Sequence, residues 1–71
     1  MTDKVSPVRC KIILTLAECN MNASETGKRI FMSPSAVKWN LDRIKEITGK
    51  DPRNFYDLME LVKMVKDLVG E

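Results

Sequence analysis

The sequence contains no histidine, and Cys10 and Cys19 are its only cysteines. Two thiols without a histidine do not make a credible metal-ligand set. No paired carboxylates mark a cleft, and no glycine-rich loop is present to cradle phosphates. With 71 residues the chain is too short to enclose a substrate pocket of ordinary size. Catalysis is therefore not expected, and neither is a cofactor, a metal or a small-molecule ligand. The two cysteines fall nine positions apart in one predicted helix. At about 100° per residue they face opposite ways, roughly 13 Å apart along the axis, too far to bridge. They read as small apolar fillers.

Long hydrophobic runs are missing too. The longest uncharged apolar stretch falls far short of a membrane span. Asp3, Lys4 and Arg9 interrupt the start, so no signal-peptide pattern is present. A cytoplasmic protein with no membrane association is expected. Repeats, low-complexity tracts and long linkers are absent. Strand signals are nearly so: Ile12-Ile13-Leu14 is the one β-leaning run, and it lies inside a stronger helical period.

What remains is a folded composition, 44% hydrophobic and 31% charged, of a size that fits a single domain over residues 1–71. A domain this small leaves much of its surface exposed and is marginally stable. Four helices are predicted, at about residues 7–19, 23–30, 34–48 and 55–69. Ser6-Pro7 caps and opens the first, in which Val8, Ile12, Ile13, Leu16 and Cys19 recur at helical spacing. Asn22, paired with Glu25, caps the second, whose inward residues are Ala23, Thr26, Gly27 and Ile30. Gly27 is costly within a helix, by about 1 kcal/mol against alanine, and a close helix crossing would require it. Phe31 and Met32 form the turn and are expected to plug the core beneath it. Ser33-Pro34 repeats the opening device for the third helix, and Gly49 ends it with a left-handed cap. Val37, Leu41, Ile44 and Thr48 share one sector of that helix, with Ile47 at its edge. Ser35, Lys38, Trp39, Asp42 and Glu46 share the opposite one. Asn54 with Asp57 caps the last helix, which Gly70 ends; its apolar positions are more numerous than one core-facing stripe needs.

Residues 22–49 thus read as two helices joined by a tight turn, the layout of a helix-turn-helix reader of duplex DNA. Net charge is only +2, but residues 23–53 carry seven basic against four acidic side chains, whereas residues 54–71 carry two against four. The positive charge gathers where phosphate binding would use it. In this reading Ser35, Lys38 and Trp39 face base edges. Lysine donates to guanine acceptors, serine can donate or accept, and Trp39 packs on sugar or a thymine methyl. Ser33, with the positive end of its helix, and Lys28, Arg29, Arg43, Lys50 and Arg53 hold phosphates.

The stretch GKRIFMSPSAVKWNLDRIKEITGKD resembles the four-helix module of LuxR-type bacterial regulators and the helix-turn-helix module that ends PucR-type regulators. Gly27, Ile30, Met32, Ser33, Ala36-Val37-Lys38, Leu41 and Ile44 carry the shared part. ILTLAEC looks more LuxR-like; ITGKD and the leucine-rich fourth helix look more PucR-like. The resemblance covers roughly residues 12–65 and implies an all-α fold, DNA binding and transcriptional control. Gly27 departs from the usual alanine, and Asp42 and Glu46 place negative charge on the reading face. Both families fuse the module to a sensory or receiver domain, and one domain in this chain gives no indication of an input signal.

The alternative function is a protein-interaction module docking on another regulator or polymerase subunit. An exposed Trp39 beside Asp42 and Glu46, and the weak net charge, would suit it. A reader of this type needs two half-sites, so a homodimer through the last helix is expected. Its stripe is Leu58, Leu61, Val62, Val65 and Leu68, with Met64 and Val69 at the edges and the first helix at the margin. The competing expectation is that the chain's own core consumes that stripe.

Overall fold

Each helix starts where a short polar side chain can satisfy a backbone N–H that the helix itself leaves open. In the computed structural model, which describes residues 6–68, Ser6 Oγ accepts from the Arg9 amide at 3.3 Å, opening α1 (Pro7–Glu18). Asn22 Oδ1 accepts from Glu25 at 3.0 Å to open α2 (Ala23–Ile30). Ser33 Oγ accepts from Ala36 at 3.1 Å to open α3 (Pro34–Thr48). Asn54 Oδ1 accepts from Asp57 at 3.1 Å at the head of α4 (Phe55–Leu68). The described residues are all-α, as expected, with boundaries within a residue of those read from capping and periodicity. Val69 and Gly70 lie outside the described residues.

The ends are set by left-handed residues. Gly49, at φ 75°, closes α3 and donates its amide to the Lys45 carbonyl at 2.8 Å. The α1–α2 turn takes two consecutive left-handed residues, Asn20 at φ 56° and Met21 at φ 67°. This lets the Met21 amide reach back to the Leu16 carbonyl at 2.8 Å, and the Met21 side chain packs on the core. The link to α4 is laced by its own polar groups. The Asp51 amide donates to Asp57 Oδ2 at 3.0 Å, and the Arg53 amide donates to Asp51 Oδ1 at 2.9 Å. Pro52 between them is fully buried.

Three helices build one core. α1 contributes Ile12, Ile13 and Leu16; α3 contributes Val37, Leu41 and Ile44; α4 contributes Leu58, Leu61 and Val65. α1 packs against α4 and α2, and α2 packs against α3. α2 enters with small groups: Thr26 and Gly27 are buried, while Ala23 and Ile30 pack at the core's edge. Cys19 is buried and Cys10 half-buried against the core, and burial pushes the Cys10 thiol above its ordinary range.

Three expectations are corrected. Phe31 does not plug the core. It takes the left-handed cap of α2 at φ 61°, which turns its ring outward, 95% exposed. Met32 alone packs inward. Val8, expected on the apolar face of the first helix, is exposed in its first turn. Leu58, Leu61 and Val65, expected at a dimer interface, are fully buried in the chain's own core and so cannot also meet a second copy. Among the described residues of that expected interface, Val62, Leu68 and, at its edge, Met64 keep partial exposure.

Candidate nucleic-acid interface

The geometry of the α2–α3 corner begins at Gly27. A side chain there would run into the Met32 carbonyl oxygen and come within 3.3 Å of Val37 Cγ2. The missing Cβ lets the chain turn back directly over α2, and the Met32 amide donates to the Gly27 carbonyl at 2.8 Å. That turn delivers Ser33 as the cap of α3 and sets the angle at which α3 leaves α2.

Val37, Leu41 and Ile44 then bind α3 to the core. With that face buried, helical periodicity sends Ser35, Lys38, Trp39, Asp42 and Glu46 outward, and all five are exposed. Fifteen residues give a rod roughly 22 Å long. One such rod fits the roughly 12 Å width of a major groove. Lys38 makes no ion pair among the described residues. Ser33 is exposed; its oxygen is committed to Ala36, which leaves its hydroxyl proton to donate.

Most of the cations expected to hold phosphates already sit with a carboxylate. Arg43 meets Glu46 at 2.6 Å, and Arg53 meets Asp42 at 2.9 Å while also donating to the Lys38 carbonyl at 3.4 Å. Arg29 lies 3.7 Å from Glu18. Lys50 pairs with Glu60, and this hydrogen bond and charge hold its ammonium above the usual lysine range. Lys28 is exposed with no carboxylate partner among the described residues. The pairs are solvent-exposed and weak, because water screens the attraction, so an incoming phosphate can compete for the cation. Asp42 and Glu46, the two acidic residues on the outward face of α3, thus hold Arg53 and Arg43 in place.

Trp39 is 58% exposed, and its ring is not bare. The Arg9 and Arg43 guanidiniums each lie 5.9 Å from its centroid, within cation–π range. Arg9 comes from α1, and its Nε donates to Asn40 Oδ1 at 3.1 Å. Asn40 is itself anchored, donating to the Ala36 carbonyl at 2.9 Å. Neither Arg9 nor Asn40 is legible as part of this surface from the sequence. They lie 31 positions apart, and no local pattern links them. The one available signal is asparagine inside a helix, where it is a poor helix former.

No helix among the described residues is long and apolar enough to cross a membrane, and no cluster of potential metal ligands occurs among them. A family model described as the PucR C-terminal helix-turn-helix domain matches residues 11–66. Comparison with curated proteins and with solved structures found no match. Of the two modules the sequence resembles, the match is to the PucR-type one, and it spans most of the chain. The chain therefore belongs to the family of PucR C-terminal helix-turn-helix domains.

Proposed function

We propose that this protein is a sequence-specific reader of duplex DNA acting in transcription regulation, with α3 as its major-groove helix. Family membership suggests DNA binding and transcriptional control. The observation that carries the finer reading is the outward face of α3. It offers Ser35 and Lys38 at the end nearest the turn, with Lys38 uncommitted to any carboxylate among the described residues. These two side chains reach base edges. In this reading Lys28, Arg29, Ser33, Arg43, Lys50 and Arg53 position the domain on phosphates. Fluorescence anisotropy on labelled genomic duplexes at two salt concentrations tests the reading. Affinity that falls steeply with salt and differs between duplexes supports it, because phosphate contacts release counterions. Salt-independent or absent binding removes it in favour of a protein-docking module.

The assembly proposed with it is a homodimer, since one recognition helix reads one half-site. We place it at the shallow groove between α1 and α4, lined by Leu14, Ala17 and Val62, with Glu18 and Lys66 also lining it. The opposite charges of these two suit two-fold pairing, where each meets the other copy's opposite one.

A further inference from the structure

Arg9 stands apart from the other arginines. Among the described residues Arg29, Arg43 and Arg53 each face a carboxylate, and Arg9 does not. It is nevertheless held in one place. Asn40 takes its Nε–H at 3.1 Å, and the Trp39 ring lies 5.9 Å from its guanidinium carbon. An arginine carries five N–H donors, so four remain on the two terminal nitrogens, in the planar fork that matches a phosphate. Asn40 carries a local cost for this. It sits inside α3, and its amide is locked in one orientation by donating to the Ala36 carbonyl at 2.9 Å. That lock turns the amide oxygen toward α1, where Arg9 meets it. Trp39 occupies the same outward face as Lys38, so the fork of Arg9 lies at the flank of the reading surface.

We propose that Arg9 is a backbone-phosphate anchor of the DNA interface, with Asn40 and Trp39 as its positioning residues. Trp39 then acts as the platform on which Arg9 and Arg43 rest rather than as a reader of bases. This ties the first turn of α1 to the duplex and fixes the angle at which α3 enters the groove. The inference rests on the DNA-binding reading above.

The test is anisotropy titration of the full chain and of Arg9→Gln, Arg9→Lys and Asn40→Ala against one bound duplex over a salt series. Arg9→Gln is expected to weaken every duplex by about tenfold without reordering their ranking. It should also shallow the slope of log K against log salt by about 0.9, the release due to one phosphate. Arg9→Lys and Asn40→Ala keep the charge, so they should keep the slope while losing affinity. Trp39 is the chain's single tryptophan, so its emission reports the stack directly and should shift in free Arg9→Gln. Far-UV circular dichroism confirms that each variant folds, and Arg9→Lys carries the test if Arg9→Gln does not. For it, affinity equal to wild type overturns the anchor. An Arg9→Gln slope equal to wild type, with wild type binding normally, overturns the role of Arg9 alone. Wild type without salt-dependent duplex affinity removes the DNA reading and this proposal together.

Discussion

A carbonyl oxygen decides what residue can stand at position 27. Alanine is the better helix former by about 1 kcal/mol. Here, however, its methyl would press on the Met32 carbonyl, a backbone atom that cannot swing aside. Gly27→Leu is therefore expected to unfold or badly distort the domain, since overpacking costs about 1–3 kcal/mol and small domains have little to spare. A thermal melt superimposable on wild type would show that the corner can open without loss. Phe31 presents the reverse case. It holds a left-handed conformation at φ 61° with its ring in water, so glycine should be preferred there. Relief of about 1 kcal/mol corresponds to a rise of roughly 4–8 °C in Tm for a domain of this size, and Phe31→Gly is expected to show a rise of that order by calorimetry.

At the scale of elements, α3 does two jobs on two faces. Its buried face fixes the helix, and its exposed face carries the DNA contacts proposed above. Lys38 and Arg53 separate the two kinds of contact proposed for it. Lys38→Ala should cost on the order of 1–3 kcal/mol on the preferred duplex and relax preference at one base position. Arg53→Ala should weaken all duplexes alike and flatten the salt slope. Competition titrations with single-base-substituted duplexes distinguish them, and an unaltered Lys38→Ala profile would take Lys38 off the reading surface. The same two-faced logic corrects α4. Its apolar residues spread wider than one stripe, and periodicity identifies the stripe without saying which flank faces the core.

For the whole molecule, the consequence concerns assembly. Val65 is fully buried among α1, α3 and α4 residues, so Val65→Glu would place an unpaired charge in the core and unfold the chain. Val62 lines the α1–α4 groove and is only half-buried. Val62→Glu is expected to stay folded by circular dichroism and to scatter light as a monomer where wild type scatters as a dimer. Wild type that remains monomeric at high concentration and on DNA would eliminate the pairing.

Helix positions, caps and the corner at Gly27 were legible because they depend on neighbours three or four residues away. Serine or asparagine before a helix, glycine after it and apolar side chains at helical spacing each act through local backbone geometry. Four helices, the outward face of α3 and the need for a small residue at position 27 follow from those alone. What the tertiary structure decided involves partners distant in sequence. Phe31 turned outward because closing the corner takes a left-handed residue there. Leu58, Leu61 and Val65 went inward because α1 and α3 present their own apolar faces to α4. Arg53 found Asp42 across 11 positions, and Arg9 found Asn40 across 31. Such pairings depend on where whole helices lie, and helix placement is set by the summed burial of the core, which no short window of sequence contains.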